Sequence, residues 1–161
     1  MSWSRRSFLL AVPALAACGF RPVYGPGGAA EGLNGRIALA DPKTRDGFAL
    51  AARLEDRLGP ATAPLYRLDY IIETDSDPLA VTQEQETTRY DVIGRVRYRL
   101  TALDTGALAD SGTVRSFTGY SATGSTLATL TARRDAYERL MVILADQIVA
   151  RLVAGAAART P

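Results

Sequence analysis

A chain of 161 residues, 47% of them apolar, has the length of one domain and enough apolar content for a packed core. It has no histidine and one cysteine, Cys18. That excludes a Ser-His-Asp triad, an intramolecular disulfide and any metal site built on histidine or a thiolate cluster, and the net charge of +2 is too small for a typical nucleic-acid binder.

Residues 1–18 divide into three parts. Ser4-Arg5-Arg6 is a short positive start, residues 8–17 are apolar apart from Pro13, and Leu15-Ala16-Ala17-Cys18 closes the segment. An apolar run of about ten residues is half the length a membrane span needs and suits the core of an export leader. Small residues before the cut let the extended backbone enter a peptidase, and the cysteine after it supplies a thiol for lipid attachment. Leu-Ala-Ala-Cys resembles the bacterial lipobox, so Cys18 is expected to be the lipid anchor and the first residue of the mature chain. Ser4-Arg5-Arg6-Ser7-Phe8-Leu9 also resembles the twin-arginine export signal. A plain positive start for general export reads the same residues equally well. Removing Arg5 and Arg6 from the 19 basic residues leaves the rest matched to the 17 acidic ones. Gly19, rather than aspartate, follows the anchor, which by the lipoprotein-sorting rule points to the outer membrane, with the domain on its periplasmic face.

Residues 18–35 are read as the lipidated start and a tether, rich in glycine and proline from 25 onward. Residues 36–40 form a short first strand, closed by Asp41-Pro42. Over 47–58, Leu50, Leu54 and Leu58 recur every four residues beside Ala51, with Arg53, Glu55, Asp56 and Arg57 mostly opposite. This is an amphipathic helix, with Asp46 the expected N-cap and Gly59-Pro60 the stop.

Residues 66–75 alternate as a half-buried strand: Tyr66, Leu68, Tyr70 and Ile72 on one face, Arg67, Asp69 and Glu73 on the other. Residues 79–86 either extend this strand or cross to the next. Asp75, Asp77 and Pro78 read as a turn. The longest strand signal covers 88–103. Tyr90, Val92, Val96, Tyr98 and Leu100 share one face; Arg89, Asp91, Arg95, Arg97 and Arg99 share the other. A turn at Asp104-Thr105-Gly106 leads to a partner strand at 113–120, whose weak alternation suggests a bulge. Ser125 is the expected cap of a long helix over 126–154. Its apolar stripe is Tyr137, Leu140, Met141, Leu144, Ile148 and Leu152, and Arg133, Arg134, Glu138, Asp146 and Arg151 lie largely off it. Residues 156–161 read as a frayed tail.

The order β-α-β-β-β-α gives an α+β domain over 36–155. The expected architecture is a two-layer sandwich, with a four-stranded sheet and two helices on one face, where both amphipathic stripes are buried.

The opening heptad Cys18-Gly19-Phe20-Arg21-Pro22-Val23-Tyr24, this element order and a C-terminal helix carrying Asp135-Ala136, Leu144-Ala145-Asp146-Gln147-Ile148 and Leu152 together resemble the LptE lipopolysaccharide-assembly family. The resemblance covers nearly all of the mature chain. It implies a non-catalytic lipoprotein without cofactor, seated as a plug inside an LptD-type outer-membrane β-barrel. Such a plug helps the barrel assemble, helps move lipopolysaccharide to the outer leaflet and binds lipopolysaccharide itself.

Arg95, Arg97 and Arg99 are the residues expected to carry such binding, with Arg89 further along the strand and Arg115 on its partner. Alternate residues on a strand are roughly 6.5–7 Å apart, a spacing that places several guanidinium forks along a phosphorylated head group. The same arginines also read as a solvated outer face paired to acids such as Asp69 and Glu73 on the neighbouring strand, and a third use is contact with the polar inner wall of a barrel. Arginine supplies every basic side chain but Lys43, which suits phosphate recognition but also follows from a GC-rich genome. Phe20, Pro22, Val23 and Tyr24 read either as a segment packed near membrane or barrel, or as a plain tether. The alternative function is a periplasmic lipid carrier or transporter-accessory lipoprotein, which needs a large apolar cavity. An anchored hydrolase would have to use Lys43 or a carboxylate pair.

Overall fold

The computed structural model describes residues 32–81 and 87–159. Cys18, the leader and the opening heptad lie outside the described residues.

The first strand, β1 (Ile37–Leu39), is short because the chain turns away at Asp41-Pro42. It leads into helix α1 (Arg45–Leu58). The cap differs from the sequence expectation. Thr44, not Asp46, holds the extended cap conformation, and its Oγ1 accepts the Gly47 N–H at 3.0 Å. The helix starts two residues earlier than expected, so Asp46 falls in its first turn, where a carboxylate still complements the helix dipole. Gly59, at φ 74°, ends the helix in a conformation that favours glycine, and its N–H donates to the Glu55 carbonyl at 2.8 Å.

Strand β2 (Tyr66–Val81) continues through Asp75, Asp77 and Pro78, where the sequence suggested a turn. Strand β3 (Thr87–Ala102) pairs with it antiparallel along nearly its whole length, and backbone pairing carries the acidic stretch as strand. The pairing shifts register beside Pro78, which has no N–H to give a ladder. Strand β4 (Leu108–Ser121) starts five residues before the expected boundary. Its register shift lies between Leu100 and Thr101, opposite Ala109, and not within 113–120, where a bulge was expected: those residues pair with β3 without a break. The sheet order is β1-β2-β3-β4, with β1 parallel to β2 and the other pairs antiparallel.

Helix α2 (Thr126–Arg159) is capped by Ser125, whose Oγ accepts the Ala128 N–H at 3.3 Å. It runs through Gly155 to Arg159, past the expected end. At 1.5 Å per residue it is about 51 Å long, matching the roughly 53 Å of each sixteen-residue strand. It is long and apolar enough to cross a bilayer, but its apolar side is spent on the core. Ala136, Leu140, Met141, Leu144, Ala145, Ile148, Val149 and Leu152 are all buried.

One cluster joins these residues to Leu50, Leu54 and Leu58 of α1 and to Leu68, Val92, Val96, Leu100 and Val114 of the sheet. Both helices therefore cover the same sheet face, as the two stripes required. Gly94 sets how closely α2 approaches. A β-carbon there would lie 2.8 Å from Leu144 Cδ1 and 2.9 Å from Leu140 Cδ2, so the side chains of α2 occupy the space the glycine leaves. Arg53 clamps the two helices at their edge. Its Nε and Nη2 each donate to one carboxylate oxygen of Asp146 at 3.1 Å.

Candidate functional site: the open face of the sheet

Alternation puts every second residue of β2, β3 and β4 on the face away from the helices. Register then sorts them into rows. Asp69 stands opposite Arg99, which stands opposite Ser111; next come Ile71, Arg97 and Thr113; then Glu73, Arg95 and Arg115; then Asp75, Ile93 and Phe117. Asp77, Asp91 and Gly119 form the following row, and Arg89 lies beyond it beside Ser121. The face is therefore divided by charge across the strands: β2 contributes mostly carboxylates, β3 mostly guanidiniums, and β4 one guanidinium, Arg115, among Ser111, Thr113, Phe117 and Gly119.

The five arginines named from the sequence all lie on this face. Arg95, Arg97, Arg99 and Arg115 fall in three consecutive rows, whereas Arg89 is separated from them by Asp91 and Ile93. Their pairing is uneven. Arg97 Nη2 donates to Glu73 Oε1 at 2.6 Å, and Arg95 Nη1 reaches Glu73 Oε2 at 3.8 Å, so one carboxylate serves two arginines. Asp69, the other expected acid, is held by Arg67 at 3.0 Å. Arg99 and Arg115 form no ion pair among the described residues. Arg95 and Arg115 are directly opposite, an arrangement in which like charges repel. The Arg95 Nε is buried and meets no acceptor among the described residues. An anion placed between these two side chains would relieve their repulsion.

Apolar side chains flank the arginines. Ile71, Ile93 and Phe117 are 59%, 43% and 67% exposed, and Ile93 faces Phe117 across the strands. None of these three is among the site residues that the alternation of β3 suggests. Their signal was their phase: each is apolar at a position where its strand's alternation calls for a polar residue. Shallow depressions of about 630 Å³ and 380 Å³ lie on this face, the first between Arg97, Arg99, Ile71 and Thr113, the second between Arg95, Arg115, Ile93 and Glu73. The arrangement can hold a ligand that is anionic and apolar at once. Among the described residues no cluster of three metal-ligating side chains occurs.

On the helix side, a depression of about 700 Å³ lies between the start of α1 and the first half of α2. Arg133 sits over the Tyr137 ring at 5.6 Å there. Burial raises the Asp46 carboxyl above its ordinary pKa, and the adjacent Arg45 partly offsets this. The tyrosines expected in the core divide. Tyr98 is buried, Tyr66 and Tyr70 are partly buried against it, and Tyr90 stacks on Tyr120 with ring centroids 5.2 Å apart.

Solved structures share this architecture. A Caulobacter crescentus protein described as a lipoprotein matches with a TM-score of 0.69 at 23% identity, over 84% of this chain and 100% of its own. Rare lipoprotein B from Shewanella oneidensis matches at 0.57 and 12% identity, over 76% of this chain and 96% of its own. A lipoprotein B from Nitrosomonas europaea matches at 0.57 and 14%, over 76% and 84%. At these identities the likeness shows the fold alone. No curated protein matches the sequence. The model of the lipopolysaccharide-assembly family LptE matches residues 35–152, from two residues before β1 deep into α2. That span takes in all four strands, both helical stripes and the whole arginine face, and the family is one of transport rather than catalysis. By that match, the chain belongs to the LptE lipopolysaccharide-assembly family.

Proposed function

We propose that this lipoprotein is anchored by Cys18 in the outer membrane, on its periplasmic side, and works as the plug partner of an LptD-type β-barrel. It would meet both the barrel and lipopolysaccharide through the open face of its sheet. The observation that carries this reading is the joint presence of Arg95, Arg97, Arg99 and Arg115 with exposed Ile71, Ile93 and Phe117 on one surface. Lipopolysaccharide presents phosphates beside acyl chains, and arginine forks suit the first as exposed isoleucine and phenylalanine suit the second. The same mixed surface suits the wet, polar interior of a barrel. Family membership supplies the link to lipopolysaccharide assembly. No catalytic step is assigned to the chain.

Site-specific photo-crosslinking in cells tests the surface. With p-benzoylphenylalanine in place of Phe117, crosslinks to an outer-membrane barrel or to lipopolysaccharide are expected. With the same group in place of Arg134, exposed on α2, they are not. Crosslinks from position 134 alone, or from neither, would move the contact off the sheet.

A further inference from the structure

Three exposed leucines lie together at one end of the sheet. Leu65 precedes β2, Leu103 follows β3 and Leu108 opens β4; they are 48%, 50% and 57% exposed. The Leu103 N–H donates to the Leu65 carbonyl at 2.9 Å, so these two are neighbours across the strands. Leu108 stands opposite Thr101, one alternation step from Leu103. Loops of unusually low charge surround them. Gly59-Pro60-Ala61-Thr62-Ala63-Pro64 has no charged residue, and the turn from 103 to 108 has only Asp104. All residues from 60 to 65 and from 103 to 108 are exposed. Single exposed leucines are ordinary, but a contiguous set rimmed by uncharged loops marks a contact surface.

Two further observations say what the surface meets. The first is where the chain enters. The Gly35 N–H donates to the Leu58 carbonyl at 2.8 Å, and the Gly35 carbonyl accepts from Thr62 and Ala63, so the loop after α1 wraps the incoming chain at this same end. Gly32 is only 14 residues beyond Cys18. Fully extended, that length spans at most about 50 Å, comparable to the long dimension of the sheet. The second is charge. Exposed Arg36, whose carbonyl accepts the Leu65 N–H at 2.8 Å, puts a cation beside the leucines and forms no ion pair among the described residues. The opposite end of the open face carries Asp75, Asp77 and Asp91. The molecule therefore offers leucines and a cation at the end where the described chain enters the sheet; toward the other end the open face carries Asp75, Asp77 and Asp91, with Arg89 and exposed Leu79 beyond them.

We infer that this end, with Leu65, Leu103 and Leu108, docks on the lipid surface of the leaflet that holds the anchor, and Arg36 lies at the level of its anionic head groups. The docking rests on the reading of Cys18 as lipidated. It sets the tilt of the domain relative to that leaflet.

The mature chain is suited to a direct test, because the only tryptophan of the sequence, Trp3, lies in the leader. Full-length lipidated protein carrying Leu103→Trp or Leu79→Trp is reconstituted in vesicles of phosphatidylethanolamine and phosphatidylglycerol, with or without acyl-brominated lipid. Leu79 is an exposed β2 residue at the far end. Side chains seated in the interface lie roughly 5–10 Å deep, so Leu103→Trp emission is expected to fall at least about two-fold with bromine. Leu79→Trp emission should stay unchanged. Protein that floats with the vesicles but shows equal quenching at the two positions overturns the docking alone. Protein that does not float, with an unmodified thiol by mass spectrometry, overturns the anchor and the docking with it.

Discussion

Replacing Leu144 by alanine is expected to lower the unfolding free energy by about 2–5 kcal/mol, the range for a fully buried leucine whose neighbours cannot close the gap. Leu144 is completely buried, and its Cδ1 fills the space over Gly94 where a β-carbon would come within 2.8 Å. The sheet backbone lies beneath it, and paired strands cannot move up to replace a lost side chain. The cavity should therefore persist. Urea titration with a linear extrapolation measures the loss. The same geometry sets a second outcome. Gly94→Ala alone should destabilise, because its new methyl group meets Leu144 and Leu140. In the Leu144→Ala background that methyl enters the cavity, so part of the loss should return. Two strictly additive effects would mean that α2 does not seat on Gly94.

The second large effect concerns charge. Reversal of Arg95, Arg97 and Arg99 to glutamate is expected to weaken lipopolysaccharide binding by tenfold or more, since roughly 1.4 kcal/mol gives a factor of ten and each charge-assisted contact is worth about that or more. The single variants should differ. Arg97 must leave Glu73, its partner at 2.6 Å, to engage a phosphate, whereas Arg99 and Arg115 have no ion pair among the described residues to break. Arg99→Glu and Arg115→Glu should therefore remove affinity with little change in stability. Arg97→Glu should in addition set a new carboxylate against Glu73. Because the face is exposed, the wild-type affinity should fall with salt as the screening length shrinks to about 8 Å at physiological ionic strength. Equal affinities for wild type and triple variant, measured in detergent at low salt, would leave the stripe as ordinary solvated surface.

The periodic parts of this fold were legible in the residues. Leu50, Leu54 and Leu58 and the stripe from Tyr137 to Leu152 placed both helices, because a four-residue apolar repeat has one burial solution. The alternation of β3 put Arg95, Arg97 and Arg99 on one face for the same reason. What the residues hid were effects of partners. Asp75-Ser76-Asp77-Pro78 has turn composition, yet it is strand, because Tyr90 to Ile93 of β3 pair beside it. Thr44 caps α1 rather than Asp46, since either side chain has the chemistry and only the backbone path decides between them. The uneven pairing of the arginines depends on register. Asp69 faces Arg99 across the strands but bonds Arg67 two residues away, an outcome that no single strand's pattern contains. Ile71, Ile93 and Phe117 were visible as breaks in phase, but only the neighbouring strands show that they border the arginines.

Co-isolation tests the proposed role most directly. The full-length protein, tagged at its C-terminus and extracted from the membranes of its own cells in mild detergent, is expected to come out with an LptD-type barrel in fixed stoichiometry, and the triple Arg95, Arg97 and Arg99 charge reversal should reduce that recovery. Recovery of the protein alone, while the barrel stays intact and abundant in the same extract, would contradict the account.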